Sequence, residues 1–99
     1  MKLQMHSIRF NADEKLLDFI QKKSNKLDTI FDRIIDGEVF LRLENDLQNE
    51  NKIVEIKLNI PGYQLFAKEK AKSFEAATDL SIEALKRQLK KYKEKNYVY

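Results

Sequence analysis

The sequence has no cysteine and one histidine, His6. The first absence excludes a disulfide frame and any thiolate metal site. The second leaves His6 without a companion ligand, which makes a metal centre or a histidine-based nucleophilic triad improbable. Glycine occurs only at Gly37 and Gly62, each where a turn is expected, and no G-x-x-x-x-G-K-[ST] phosphate loop is present. No apolar run approaches the ~20 residues that span a bilayer. The opening MKLQMHSIRF is broken by polar residues at nearly every second position, unlike the core of a signal peptide. Carboxylates are plentiful, but Glu44, Asp46, Glu50 and Glu55 read as strand-face and loop residues, and no acid–base pair stands out. A cytoplasmic, non-enzymatic protein with no cofactor, no metal and no membrane contact is expected.

What remains is a chain of 99 residues, 42% hydrophobic and 35% charged, a composition that suits one soluble domain spanning 1–99 with one modest core. A strand is predicted over Lys2 to Ser7, then a helix from Glu14 to Phe31 with Asp13 as its N-cap. Its apolar stripe is Leu16, Phe19, Ile20, Leu27, Ile30 and Phe31, interrupted by Lys23. Asp36-Gly37 punctuates, and Val39, Leu41 and Leu43 alternate as a second strand. Asn45 to Asn51 reads as a hairpin loop. Val54, Ile56, Leu58 and Ile60 alternate most clearly, Pro61-Gly62 makes a turn, and Tyr63 to Lys68 forms the fourth strand. Ser73 caps a last helix whose buried stripe is Phe74, Ala77, Ser81, Leu85, Leu89 and Tyr92. The order β-α-β-β-β-α implies an α+β two-layer sandwich, with two helices on one face of a four-stranded sheet. The hairpins make the last three strands antiparallel, and the helical crossover allows the first to run parallel to a neighbour.

Positive charge is concentrated in the last helix. From Ala84 to Lys95, ALKRQLKKYKEK, six cations face one anion, a local charge of +5 in a chain whose total is +3. Lys86, Lys90 and Lys93 form one row and Arg87, Lys91 and Lys95 the next, flanking the apolar line. Such concentration suits a polyanion, because each neutralised phosphate releases condensed counterions. Charge alone also fits a solvated helix end favoured by the macrodipole. Length argues for function: 22 residues from Phe74 to Lys95 span ~33 Å, whereas a seven-residue strand spans ~23 Å. The basic end should therefore project past the sheet, with both rows facing outward as one surface. Lys22, Lys23 and Lys26 of the first helix could extend that surface, although on sequence alone ordinary solubilisation of an exposed helix accounts better for Lys22 and Lys26. Phe10, Phe19, Phe31 and Phe74 belong to the core by pattern, which leaves Tyr63, Tyr97 and Tyr99 as candidates for base stacking.

Four stretches carry a family likeness: MKLQMHSIRFNADEKLLDFIQKK, KKSNKLDTIFDRI, VEIKLNIPGYQLFAKE and SFEAATDLSIEALKRQLKKYKEK. The most specific marks are the A-A-x-D of Ala76, Ala77 and Asp79 and the L-x-R-Q-x-x-K-x-K of Leu85 to Lys93. Together they resemble the bacterial ribosome hibernation-promoting factors, also called ribosome-associated inhibitor or sigma factor modulation proteins, over nearly the whole chain. The resemblance implies a domain that binds the small (30S) subunit of the 70S ribosome near the decoding region of 16S rRNA and blocks translation in stationary phase. The family's basic helix residues would correspond to Lys23, Lys26, Arg87, Lys91 and Lys93. Lys22, Lys86, Lys90 and Lys95 join the proposed RNA-binding surface from their own placement. Two departures stand out. Ser73-Phe74-Glu75 replaces the family's Asp-Met-Tyr, and Tyr92 stands where relatives have the histidine of K-H-K. The chain is expected to be a short form without a C-terminal dimerisation domain and a monomer off the ribosome. An RNA-binding or protein-interaction module of similar layout, acting off the ribosome, is the alternative.

Overall fold

The alternation around Val54 to Ile60 places one apolar face along an entire strand, and that strand lies at the heart of the sheet. The computed structural model describes residues 1–44 and 51–96. Its elements are β1 (Lys2–Ser7), α1 (Glu14–Asn25), a 3-10 turn (Lys26–Thr29), β2 (Asp36–Leu43), β3 (Lys52–Ile60), β4 (Tyr63–Ala71) and α2 (Phe74–Asn96). Residues 45–50, which include Asp46, Glu50 and most of the expected hairpin loop, lie outside the described residues, as do Tyr97 and Tyr99. The strands stand in the spatial order β1-β2-β3-β4, with β1 parallel to β2 and the other neighbours antiparallel. This is the expected α+β sandwich. The crossover through α1 makes the first pairing parallel, while the Pro61-Gly62 turn, with Gly62 at φ +75°, reverses the chain between Ile60 and Tyr63.

Register aligns the apolar face across all four strands. Met5, Val39, Ile56 and Ala67 form one row, and Leu3, Gly37, Leu58 and Leu65 the next. Ile20, Leu27, Leu85 and Leu89 of the helical layer close over these rows with no exposed area. Asp36-Gly37 does not punctuate the chain as its sequence suggests: both residues open β2, paired to Lys2 and Leu3. A Cβ on Gly37 would lie 2.7 Å from Leu58 Cδ2, 2.7 Å from the Lys57 carbonyl oxygen and 2.8 Å from Leu3 Cδ2. Glycine is required here because the Lys57 carbonyl and two leucine side chains crowd the position, not because the backbone turns.

Asp13 caps α1 as expected, its carboxylate accepting from the Leu16 amide at 2.8 Å. The regular helix ends at Asn25, six residues earlier than the apolar stripe suggests. Thr29 donates its hydroxyl to the Lys26 carbonyl at 2.7 Å, a local bond that competes with the helical ladder and tightens the chain into the 3-10 turn. Ser73 caps α2 through the Ala76 amide at 3.0 Å. Ala77, Ser81, Leu85 and Leu89 are buried as read from the stripe, and Thr78 and Ile82 widen it. The expected overhang of α2 is smaller than its length suggests. β3 and β4 each have nine residues, β4 running on to Ala71 rather than ending at Lys68. At ~30 Å they nearly match the helix. The Tyr92 hydroxyl reaches the Pro61 carbonyl at 3.4 Å, so α2 is level with the β3–β4 turn there and only its final turn passes the sheet.

Candidate nucleic-acid interface

The cationic side chains divide into two groups, those that hold the helical layer together and those that do not. Lys23 of α1 pairs with Asp79 of α2 at 3.3 Å and also lies 5.4 Å from the centroid of the Phe19 ring. At the other end of the layer, Lys93 donates to the Ile30 carbonyl at 2.8 Å. These two contacts, one near the start of α2 and one near its end, show that α1 with its 3-10 turn and α2 run side by side in the same direction. Lys86 is held within its own helix by Glu83 at 3.2 Å. Three of the nine expected contact residues thus already bind protein oxygens. The other six, Lys22, Lys26, Arg87, Lys90, Lys91 and Lys95, are exposed, and among the described residues none has a carboxylate within 4.0 Å.

The two rows on α2 do not face outward together as one plane. Lys86 and Lys93 lean toward α1, where Lys93 meets Ile30. Lys91 and Lys95 border the opposite side, beside Gly62 and Tyr63 of the β3–β4 turn. The periodicity of a helix places Arg87 and Lys90 between them, farthest from the buried line through Leu85 and Leu89. The surface is therefore convex and wraps α2 rather than lying flat across both helices. Lys22 and Lys26 continue it onto α1 and the 3-10 turn.

The opposite face of the sheet offers a useful contrast. It also carries cations, but Arg42 lies 3.3 Å and Lys68 4.0 Å from Glu55, and Lys70 lies 3.2 Å from Glu44. His6 and Phe40, directly opposite in register, stack at 4.8 Å, and His6 bonds to Glu38 at 3.1 Å. On that face Arg42, Lys68 and Lys70 have carboxylate partners, whereas the six uncommitted cations of the helical layer have none among the described residues. An incoming polyanion gains most where it need not displace a carboxylate.

Other expected residues fall as follows. Phe31 is buried, whereas Phe10, Phe19 and Phe74 sit half-buried at the rim of the core, Phe10 stacked on Phe74 at 5.1 Å. That stack occupies the ring that stands in the departing Ser73-Phe74-Glu75 segment, and Glu75 is exposed in the first turn of α2. Tyr63 is exposed as expected. Its partner is Tyr92, at 5.9 Å and 18° between planes. Sequence periodicity places Tyr92 on the buried stripe and does not reveal this pair; its place at the very end of the stripe, between Lys91 and Lys93, is the available signal. Among the described residues no three His, Asp or Glu side chains gather where a metal could bind, and no helix is long and apolar enough to cross a membrane.

A family model described as "Sigma 54 modulation protein / S30EA ribosomal protein" matches residues 3–97. The chain is 32% identical over 91 residues to the ribosome hibernation promotion factor of Deinococcus radiodurans, covering 91% of this chain and 48% of that protein. It therefore spans about half the length of that relative. To the ribosome hibernation promoting factor of Pseudomonas putida it is 32% identical over 95 residues, covering 96% of this chain and 89% of that one. Among solved structures, a ribosomal subunit interface protein from Coxiella burnetii shares the fold with a TM-score of 0.84, at 24% identity over 94% of this chain and 98% of that one. The N-terminal domain of Protein Y from Thermus thermophilus does so with a TM-score of 0.80, at 22% identity over 93% and 99%.

Proposed function

The chain belongs to the Sigma 54 modulation protein / S30EA ribosomal protein family, and from that premise we propose that it is a ribosome hibernation factor. It binds the small ribosomal subunit, alone or within the 70S ribosome, by laying the cationic helical layer on 16S rRNA near the decoding region. Occupying that region excludes messenger and transfer RNA, so translation is inhibited in stationary phase. The protein acts in the cytoplasm as one copy per subunit, without catalysis and without a cofactor. The observation that carries this reading is the family match from residue 3 to 97, which runs through both helices and every cation of the layer.

The geometry supports phosphate contact by six side chains, Lys22, Lys26, Arg87, Lys90, Lys91 and Lys95. Lys23, Lys86 and Lys93 contribute long-range charge, and Lys23 and Lys93 also keep the helices in place. Recognition of this kind depends on backbone charge and the shape of folded RNA more than on base edges. Sucrose-gradient sedimentation with purified ribosomes tests the proposal. Co-migration with 30S and 70S particles at low salt is the expected result. Recovery only with free RNA or with a protein partner would replace it by a module that acts off the ribosome.

A further inference from the structure

Between the β3–β4 turn and the last turns of α2 lies an open groove of about 820 Å³, lined among others by Gly62, Tyr63, Lys91, Tyr92, Glu94 and Lys95. That volume is within the range of sites that accept a small organic ligand. Tyr63 is 58% exposed, a large share for an aromatic ring in a folded domain. It is nevertheless held firmly. Tyr92 stacks on it at 5.9 Å, Phe31 meets Tyr92 edge-on at 5.7 Å and 87°, and the Tyr92 hydroxyl reaches the Pro61 carbonyl at 3.4 Å. Phe31 is itself 5% exposed, so the aromatic column is anchored in the core and ends in the groove.

We propose that this groove is a stacking site for one unpaired nucleotide of an RNA strand, its base lying on the Tyr63–Tyr92 column and its flanking phosphates beside Lys91 and Lys95. The inference rests on the reading of the helical layer as an RNA-binding surface and adds what that surface selects. A flat, braced ring with much of its area exposed matches the π-face that every nucleobase presents once it leaves a helix. The two lysines stand on the side of α2 that borders the groove and continue the cationic surface to its rim. Glu94, the carboxylate in the lining, leaves Lys91 and Lys95 in excess by one charge. A base inside a duplex cannot reach the ring, because both of its faces are already stacked. The site therefore favours a loop, bulge or extruded base over a continuous helix.

The test compares a labelled octauridylate with a ribose-phosphate strand of the same length and charge that lacks bases, by fluorescence anisotropy on the full chain. The wild-type protein should bind the base-bearing strand about 5- to 150-fold more tightly, the worth of one stacked base. Tyr63→Ala should bring the two affinities together, and Tyr63→Phe should preserve the difference, with circular dichroism verifying that each variant is folded. Equal affinities for the wild type, or a preference that survives Tyr63→Ala, overturn the proposal and leave the column as a surface for a protein partner. Ribosome sedimentation of the same wild-type preparation separates this from the preceding reading. Co-migration without base preference refutes the stacking site alone, and base preference without co-migration refutes the ribosomal role alone.

Discussion

Lys90 and Lys93 lie three residues apart on one helix, yet the structure assigns them different work, and truncating each to alanine should show it. Lys90 is exposed with no carboxylate within 4.0 Å among the described residues, whereas Lys93 donates at 2.8 Å to the carbonyl of Ile30, 63 residues away. With six uncommitted cations in contact, log K for ribosomes should fall by about 4 to 5 units per tenfold rise in salt, at ~0.7 to 0.9 per phosphate. Lys90→Ala removes one contact. The slope should become shallower by ~0.7 to 0.9, and affinity at about 0.1 M salt should drop roughly five- to eightfold. Its stability should stay within ~0.5 kcal/mol of wild type. Lys93→Ala should instead lower stability by ~0.5–1.5 kcal/mol through the lost hydrogen bond, and should alter the slope much less. Filter binding from low to physiological salt, paired with urea unfolding, reads both quantities. Equal slope changes with no loss of stability for Lys93→Ala would refute the division between committed and uncommitted cations. A slope that neither variant moves would refute phosphate contact by Lys90.

Gly37→Ala should destabilise the domain by ~1–3 kcal/mol in urea unfolding, because one of the three atoms in the way is a backbone oxygen at 2.7 Å that cannot swing aside; a neutral result would mean that β2 sits farther from Leu58. Leu85→Ala, at a site with no exposed area, should cost ~2–5 kcal/mol through a core cavity. The double reversal Lys86→Glu and Lys90→Glu should leave a folded domain that no longer sediments with ribosomes, and unfolding of that variant would contradict their outward placement. Gln88 covers the edge of β4, donating to the Phe66 carbonyl at 2.8 Å and accepting from its amide at 3.4 Å. Sedimentation equilibrium should therefore give a constant mass near 11.8 kDa for the wild type, and a mass rising with concentration for Gln88→Ala.

Element order was legible because it depends on local patterns. The alternation of β3, the carboxylate of Asp13 and the hydroxyl of Ser73 each act within a few residues. Gly37 misled for a corresponding reason. The same residue serves a turn or a crowded strand, and only the meeting of Leu3 with Leu58, 55 positions apart in sequence, distinguishes them. The candidate site divides along the same line. That the last helix is strongly basic can be read directly, but which cations are spent on the fold cannot. The partners of Lys23 and Lys93 are Asp79 and Ile30, and no periodicity within one helix reveals either. Tyr92 escaped for being read on its own helix, whereas its ring is organised by Phe31 and Tyr63 from two other segments.

The committed cations explain why the uncommitted ones can act together. A lysine on an isolated helix loses rotamer entropy when it meets a phosphate, and a helix that rocks on its sheet loses orientational freedom as well. Here the second cost is met during folding. Lys23–Asp79 fixes α1 against the start of α2, Lys93–Ile30 fixes the 3-10 turn against its end, and Gln88 ties α2 to the edge of β4. Each contact is worth little alone, since an exposed ion pair contributes at most about 1 kcal/mol and a single hydrogen bond about 0.5–1.5 kcal/mol. Their separation along α2, from Asp79 to Lys93, gives them leverage over its tilt and rotation. Arg87, Lys90, Lys91 and Lys95 consequently keep a set spacing before any RNA arrives. A surface that recognises folded RNA by the spacing of its phosphates needs that order in advance. If the layer binds RNA as proposed, the polar bonds that commit Lys23, Lys86 and Lys93 to protein partners are what lets the remaining six select a shape.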